Sequence, residues 1–394
     1  MEPVVPQQDP PVDAVVAAKI PPSQPPASWR RVLAVASAAA AVVLAVVAGV
    51  AVFVTHTHPV ILEPVAAPEL IPISVDVDLS RWRDIAISPD GRRVYLTGNA
   101  AVAVVDTVTR TESLLPLPDL GRPYRYGELG KVLPLDDRVL VFVTRFDTVS
   151  AGQVATIEQN NTVTIGPKIA IGIGIKNVAV TPDGSRAYIA ALDGLSVVDL
   201  RTGAVLAKMF TGSFENKKYS VLDTRMAPDG RTVFVEVLSG SDLHIAVLDT
   251  ATNARTADIS VESMSEAMTT SRDGRFLYLP NGGLARPDTE VRVIDTIQNA
   301  VVASLRGRTA IRSVAVAPNG RYVFGAGLCY GHATHRYEGC VDVIDAKSGE
   351  VVETIGVPKE VSAIVIAPDG RRLYGVEDYG QASDLVAIDI HRYA

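Results

Sequence analysis

The sequence predicts an all-β protein, a seven-bladed β-propeller of four-stranded antiparallel blades, preceded by a disordered tail and one transmembrane helix. Three observations support this prediction. A Pro-Asp-Gly turn recurs along most of the chain, short runs rich in β-forming residues flank each turn, and an uncharged apolar run lies near the N terminus. Recurrence of one short unit at a regular period is typical of propellers and other repeat folds.

Residues 1–31 are predicted to be a disordered, proline-rich cytoplasmic tail. Eight prolines fall within residues 1–28, which lack the apolar periodicity of a helix or a strand. This composition favours an extended chain that buries too little apolar surface to fold.

Residues 32–54 contain no charged side chain, and as a helix they could span about 30 Å of hydrocarbon. Arg30 and Arg31 precede this run, so the positive-inside rule places the N terminus in the cytoplasm. We therefore expect a single-pass plasma-membrane protein whose propeller is extracytoplasmic, with residues 55–69 as a stalk. The alternative is a signal peptide cleaved near the small residues 49–51, which would also leave the propeller outside.

The repeated turn defines the units of the fold. Its centres are Asp90, Asp183, Asp229, Asp273, Asn319 and Asp369. All gaps between centres are 44–50 residues except the first, which is 93, close to twice that length. A seventh unit with a degraded turn is therefore expected near Asp136, within residues 132–165. The predicted propeller covers residues 70–394.

Each unit contains four apolar runs, for example "NVAVT", "RAYIA", "LSVVD" and "AVLAKMF" between residues 177 and 210. Four short strands without an intervening helix form a propeller blade, and neighbouring blades must stack to bury both faces. The last unit ends after its third strand. We therefore expect residues 70–78, "LIPISVDVD", to supply the missing outer strand and close the ring.

Recurrent aspartates at the turns are interpreted as turn-forming residues rather than catalytic acids. In such a turn, proline presets φ, aspartate accepts hydrogen bonds from nearby backbone N–H groups, and glycine adopts positive φ. Asn319 replaces the aspartate in one unit, which fits a hydrogen-bond acceptor but not an acid–base catalyst. The aspartates concerned are Asp90, Asp183, Asp229, Asp273, Asp369, Asp106, Asp199, Asp249, Asp295, Asp345 and Asp389.

The pattern "VAVxPDGxxxYVA…VxVIDxxxxxVVxTI" is clearest in residues 177–208, 224–250 and 313–356. It resembles the YVTN-repeat propellers, a family that includes YncE-like periplasmic proteins and bacterial surface-layer proteins. The resemblance implies an extracytoplasmic propeller that binds ligands more often than it catalyses a reaction. Some relatives bind single-stranded DNA, and others are lactonase-like hydrolases.

The long loop of the sixth unit, residues 327–340, contains both cysteines of the chain and two histidines. Cys329 and Cys340 are expected to form a disulfide, because a pair of thiols outside the membrane tends to oxidise. The alternative is a zinc site that also uses His332 and His335, although this spacing matches no standard zinc module. We predict the disulfide, with neither a metal nor a cofactor.

Loops on the face opposite the turns combine basic and aromatic side chains, which suit stacking and contacts with phosphate or carboxylate groups. Acidic residues such as Glu128 and Glu215 share these loops, so a solvated rim of mixed charge is the alternative interpretation. The candidate ligand-binding residues are Trp82, Arg83, Arg122, Tyr124, Arg125, Tyr126, Lys217, Lys218, Tyr219, His332, His335, Arg336 and Tyr337.

The sequence favours a binding or interaction module at the cell envelope over an enzyme, since it contains no nucleophile elbow, phosphate-binding loop or metalloprotease motif. The expected partners are the membrane, through residues 32–54, and an envelope protein, glycan or other anionic ligand, with a monomeric propeller. A net charge of −7 gives nucleic acid no support as a partner. The alternatives are a lactonase or esterase with its site at the channel mouth, or a protein that binds single-stranded DNA or polysaccharide.

Overall fold

We describe the protein from a computed structural model. The described residues are 69–72, 84–98, 101–117, 130–145, 151–170, 175–191, 193–211, 219–262, 264–265, 267–281, 290–308, 310–331, 336–377 and 384–394. The predicted tail and membrane span lie outside these ranges, as does all of the predicted stalk except Glu69. Among the described residues, no helix is long and apolar enough to cross a membrane.

Within the described residues the strands form seven four-stranded antiparallel sheets, one per predicted unit. The first sheet comprises β2 (Asp84–Ile87), β3 (Arg93–Thr97), β4 (Ala101–Asp106) and β5 (Glu112–Pro116). The second comprises β6 (Lys131–Pro134), β7 (Arg138–Arg145), β8 (Ala151–Glu158) and β9 (Val163–Ala170). The third comprises β10 (Ile175–Val180), β11 (Arg186–Ala191), β12 (Gly194–Asp199) and β13 (Val205–Met209).

The remaining four sheets repeat the same meander. The fourth comprises β14 (Ser220–Met226), β15 (Thr232–Ser239), β16 (Asp242–Asp249) and β17 (Arg255–Ser260). The fifth comprises β18 (Thr269–Thr270), β19 (Phe276–Pro280), β20 (Glu290–Asp295) and β21 (Ala300–Arg306). The sixth comprises β22 (Ala310–Val316), β23 (Tyr322–Gly331), β24 (Arg336–Asp345) and β25 (Val351–Val357). The seventh comprises β26 (Val361–Ile366), β27 (Arg372–Glu377), β28 (Asp384–Asp389) and β1 (Glu69–Pro72), and the short 3₁₀ helix His391–Tyr393 follows it.

The predicted seven-bladed propeller is confirmed, including the second blade, whose turn is degraded. That blade extends over 131–170 rather than 132–165. Strand β1 is the outermost strand of the seventh sheet and pairs antiparallel with β28, in register from Glu69–Ala387 to Pro72–Asp384. The pairing strand starts at Glu69, one residue before the predicted segment 70–78, and residues 73–78 of that segment lie outside the described residues.

Seven apolar clusters form the core, each between two adjacent blades. Strand β15 shows how the sequence produces them, since successive side chains of a strand point to opposite faces. Val233 and Val235 pack with Tyr188 of the third blade, whereas Phe234 packs with Leu277 of the fifth. Each blade is therefore buried on both faces, which explains why its second and third strands, such as β11 and β12, are buried at nearly every position.

The recurrent aspartates form turns, as the sequence predicts. In the first-to-second-strand turns, the carboxylates of Asp90, Asp229 and Asp369 accept a hydrogen bond from the backbone N–H two residues later, at 2.9–3.0 Å. The amide oxygen of Asn319 does the same at 2.9 Å. In the third-to-fourth-strand turns, Asp249 accepts from the N–H of Thr252 at 2.8 Å, and Asn253 follows with φ +56°. Each turn is thus closed by local hydrogen bonds.

The predicted disulfide between Cys329 and Cys340 is confirmed, with 6.0 Å between the Cα atoms. It joins β23 and β24, a hairpin of two ten-residue strands. This hairpin lies close to the neighbouring connection, since a Cβ atom at Gly339 would stand 1.8 Å from the backbone oxygen of Lys359. Glycine is therefore required there. The disulfide stabilises the folded protein by about 3 kcal/mol, because it lowers the conformational entropy of the unfolded chain.

Candidate functional site: the channel lining

The inner strands of a propeller line its central channel, and one position on them is polar in four blades. This position lies six residues before the centre of the Pro-Asp-Gly turn. We call its polar occupants the inner belt: Asp84, Asn177, Asp223 and Ser313. In three of these blades a register shift, indicating a β-bulge, lies directly before the belt residue, between 175 and 177, 221 and 223, and 311 and 313. A bulge re-aims the side chains that follow it, which here brings the belt residue toward the next blade.

Each belt side chain forms a hydrogen bond with the inner strand of another blade, or with the segment that leads into it. Asp84 accepts from the backbone N–H of Val132 at 2.9 Å, and Ser313 Oγ accepts from that of Ile364 at 3.2 Å. Asp223 accepts from the N–H of Met268 at 2.8 Å. The side-chain amide of Asn177 donates to the other oxygen of Asp223. The belt therefore joins blade one to blade two, three to four, four to five and six to seven.

Two cations accompany the belt on blades two and four. Lys131 Nζ forms an ion pair with Asp84 at 3.1 Å. Arg225 follows Asp223 by two residues on β14 and lies within the electrostatic range of both Asp223 and Asp84. We call Asp84, Lys131, Asn177, Asp223 and Arg225 the channel cluster.

The pKa values of Asp223 and Arg225 are shifted because both groups are buried in the ring. Burial raises the pKa of Asp223, while the donors from Met268, Asn177 and Thr224 and the charge of Lys131 act in the opposite direction. Burial likewise lowers the pKa of Arg225, and the charges of Asp223 and Asp84 oppose it. The Arg225 guanidinium nevertheless stays protonated, because its ordinary pKa lies far above neutrality. Arg225 thus keeps its positive charge beside the two carboxylates.

A third carboxyl, Glu236, lies next to the belt on β15, where its backbone is paired in register with Asp223. It is fully buried, and it accepts hydrogen bonds from the backbone N–H of Ser265 at 2.8 Å and from its hydroxyl at 3.3 Å. Burial is the main cause that raises the pKa of Glu236 to about 8, and the nearby charge of Asp223 adds to it. Glu236 is therefore largely protonated at neutral pH.

Blades six and seven carry a separate group of buried acids. Arg312 Nε lies 2.8 Å from the Glu360 carboxylate. Asp342, which is fully buried, accepts from the backbone N–H of Arg308 and from the Thr354 hydroxyl, both at 2.6 Å. These contacts fasten the connections between blades, because buried carboxylates are stable only when paired or hydrogen-bonded.

The contacts of the channel cluster stabilise the ring by joining neighbouring blades. Its carboxylates are occupied by backbone N–H groups and by Lys131. In the part of the chain that the structure describes, no three His, Cys, Asp or Glu side chains are grouped to hold a metal ion. Lys131 and Arg225 are the two cations of the cluster, Lys131 paired with Asp84 and Arg225 close to Asp223 and Asp84.

The predicted ligand-binding residues fall mostly outside the described residues. This holds for Trp82, Arg83, Arg122, Tyr124, Arg125, Tyr126, Lys217, Lys218, His332 and His335. Arg336 and Tyr337 begin strand β24. The ring of Tyr219 is half-buried and packs edge-on against Phe210, with 6.1 Å between ring centroids.

The described strands nevertheless fix where these segments attach. Trp82 and Arg83 directly precede β2, Lys217 and Lys218 precede β14, and residues 332–335 connect β23 to β24. In an up-and-down meander, the starts of the inner strands and the second-to-third-strand loops share one face of the ring. We call this the loop face, and it is also where the inner strands carry the channel cluster.

Sequence reasoning missed the channel cluster and Glu236. Aligning the seven units on their turns would have found the belt, since a polar residue recurs six positions before the turn centre in otherwise apolar runs. No comparable signal exists for Glu236, whose equivalents seven residues after the turn centre are Thr97, Ala190, Pro280, Ala326 and Val376.

Comparisons with known proteins support the fold alone. No protein-family model matches the chain, and no curated protein does so. Among solved structures, the β-propeller domain of Cps50 (Swd1) from Myceliophthora thermophila is similar with a TM-score of 0.58 at 11% identity, covering 76% of this chain and 95% of that one. Hydrazine synthase of Kuenenia stuttgartiensis gives a TM-score of 0.48 at 19% identity, covering 77% of this chain and 75% of that one.

Proposed function

We propose that this chain is an interaction module whose loop face binds an anionic group of an envelope protein or a glycan. The observation that carries the proposal is that the acidic and the basic side chains of the described residues have different roles. The repeated carboxylates close turns or join blades, whereas Lys131 and Arg225 bring positive charge to the channel beneath the loop face. Rigid scaffolds that present variable loops are typical recognition surfaces.

The anionic preference also follows from the loop sequences. Arg83, Arg122, Arg125, Lys217 and Lys218 all belong to segments that attach at the loop face. Guanidinium and ammonium groups bind carboxylates and phosphates by charge-assisted hydrogen bonds. Tyrosines in the same segments add aromatic surface for a sugar or a planar group.

Membrane attachment and membership of the YVTN-repeat, YncE-like propellers are part of the same proposal. The supporting observations are the uncharged run 32–54, the arginines before it and the consensus of the repeats. A direct check is carbonate extraction of membranes that contain the full-length protein. We expect the protein to remain in the membrane pellet, and its release into the supernatant would contradict a membrane span.

Binding is tested with the full-length protein in lipid nanodiscs, screened against acidic glycans, single-stranded DNA and envelope extracts. We expect Arg122→Ala combined with Arg125→Ala to weaken binding of an acidic ligand by about tenfold or more, because each charge-assisted contact is worth about 1.5–3 kcal/mol.

The matched control removes two exposed cations from the opposite face, Arg201→Ala with Lys347→Ala. Equal losses in both variants would show that binding follows overall charge and not the loop face. Saturable turnover of a lactone or ester that depends on the channel cluster would replace the proposal with the hydrolase alternative.

A further inference from the structure

The second face of the ring, which carries the turns, contains a repeated contact between blades. In blade three, Arg186 Nη1 donates to the backbone oxygen of Thr250 in blade four at 3.2 Å. The Tyr188 hydroxyl donates to Asn253 Oδ1 at 2.9 Å and also lies 3.3 Å from the Thr250 oxygen. One guanidinium and one phenol of blade three therefore fill the groove beside the third-to-fourth-strand turn of blade four.

Blade four lacks both donors at the equivalent positions. Arg186 and Tyr188 lie three and five residues after Asp183, and the residues three and five after Asp229 are Thr232 and Phe234. Threonine is too short to reach the next blade as an arginine does, and phenylalanine has no hydroxyl. The sequence thus removes a cation and a hydrogen-bond donor from one blade boundary.

An open groove of about 250 Å³ lies at this boundary between blades four and five. Thr296 and Asn299 lie in it, and they are the equivalents of Thr250 and Asn253. Within the described part of the chain, no side chain donates a hydrogen bond to the Thr296 carbonyl or to the Asn299 amide oxygen. The groove therefore offers the acceptors that Arg186 and Tyr188 satisfy one blade earlier.

The blade six–seven boundary shows that an absent phenol does not by itself leave a groove. Blade six also has phenylalanine, Phe324, at the position of Tyr188. There the C-terminal 3₁₀ helix places Tyr393 against it, with 5.8 Å between ring centroids, and the Tyr393 hydroxyl contacts Glu353. The chain itself fills that boundary, whereas the four–five boundary stays open.

The charge of the open groove is negative. Asp229 and Asp273, from two adjacent blades, are among the residues that line it. Hydrogen bonds from Ser271 and Arg275 lower the pKa of Asp273. The nearby Arg275 guanidinium is directed elsewhere, 3.4 Å from Asp295 and over the Phe276 ring. Phe234 is only 1% exposed and so offers no stacking surface.

We propose that the groove between blades four and five binds the guanidinium of an arginine side chain presented by a protein partner. The guanidinium would donate to the Thr296 carbonyl and the Asn299 amide oxygen, as Arg186 does to Thr250 within the chain. Asp229 and Asp273 supply the complementary charge. A guanidinium has five N–H donors in a planar fork, which suits a groove lined by acceptors. This second surface is independent of the loop face and of any ligand bound there.

The test uses saturation-transfer NMR on the full-length protein with N-acetyl-arginine amide as the probe. The variant T232R/F234Y restores the internal arginine and tyrosine, and we expect it to weaken probe binding by at least about tenfold, the value of one charge-assisted hydrogen bond. The matched control R186T/Y188F should open an equivalent groove between blades three and four and double the number of bound probes.

Asn299→Ala, at an exposed position, provides a second test that does not depend on how the double variant folds. We expect it to weaken probe binding severalfold while loop-face binding is unchanged. The proposal is overturned if the probe fails to bind the natural protein, or binds T232R/F234Y and N299A as well as it does the natural protein. Preferential binding of a neutral sugar such as glucose in this groove would also overturn it.

Discussion

The turn aspartates and the buried acids near the channel are the same residue types in opposite environments. Asp273 lies in an exposed turn, and the hydroxyl of Ser271 and the backbone N–H of Arg275 lower its pKa. Asp223 is 3% exposed, and burial raises its pKa. The first is held by neighbours two residues away, whereas the second is held by the adjacent Thr224 N–H and by groups 45 and 46 residues away. Local carboxylates shape single turns, and buried ones hold blades together.

The largest effect is expected from removing the acceptor that joins three blades. Asp223→Ala leaves the Met268 N–H, the Asn177 amide and the buried Arg225 charge without their carboxylate. We expect a loss of about 3–5 kcal/mol, since breaking a buried charged pair leaves its partner uncompensated. Urea unfolding measures it. Asp223→Asn keeps an acceptor and should lose less, and an equal loss in both variants would argue against a role for the charge.

The next largest effect is the pH dependence contributed by Glu236. The folded protein keeps this proton up to a pKa of about 8, whereas the unfolded chain loses it near 4.5. Stability from this group is therefore complete below pH 4.5 and falls as pH rises toward 8, by at most about 1.4 kcal/mol per pH unit. Thermal unfolding of the natural protein and Glu236→Gln across this range tests it. Parallel curves would mean that Glu236 is ionised in the folded protein.

A turn carboxylate should matter less and with the opposite pH dependence. Asp273→Ala removes the bonds from Ser271 and Arg275, so we expect a loss of about 1 kcal/mol at pH 7. Because the folded pKa of Asp273 lies below 3.8, this contribution is present above that pH and disappears as pH falls through the folded value. A loss that persisted at pH 2 would show that the ionised carboxylate is not the cause.

The smallest effect separates two turns that look interchangeable. Asn319 accepts from Arg321 as an aspartate would, but its amide also donates to the Tyr393 carbonyl at 3.0 Å. Asn319→Asp should therefore cost about 0.5–1 kcal/mol, because the donor is lost. Asp369→Asn keeps the oxygen that accepts from the Arg371 N–H at 2.9 Å and should change stability by less than about 0.5 kcal/mol. Equal values for the two changes would remove the special role of the C-terminal contact.

The comparison also explains what the sequence could predict. Pro89-Asp90-Gly91 and its repeats encode turns through contacts within a few residues, so their period reveals the blade number and their aspartates reveal their role. The disulfide between Cys329 and Cys340 was predictable because the chain has only two cysteines within one loop. These signals are all local or compositional.

The channel cluster was not found because its members come from different blades. Lys131 meets Asp84 across 47 residues, and only the closed ring brings them together. In the sequence, the groove between blades four and five is indicated only by a difference between repeats. Blade four has Thr232 and Phe234 at the positions where blade three has Arg186 and Tyr188. A site that arises from such a difference between neighbouring repeats has no sequence motif by which it could be recognised.

The position of β1 has a mechanical consequence. The chain enters the ring through this four-residue segment. A force applied N-terminal to Glu69 therefore acts on the pairing of β1 with β28, first at Glu69–Ala387, before it reaches any other strand. If this pairing were lost, the apolar edge of β28 would be exposed, and an unpaired strand edge readily pairs with another chain. The strand through which the chain enters the ring is thus also the strand that closes it.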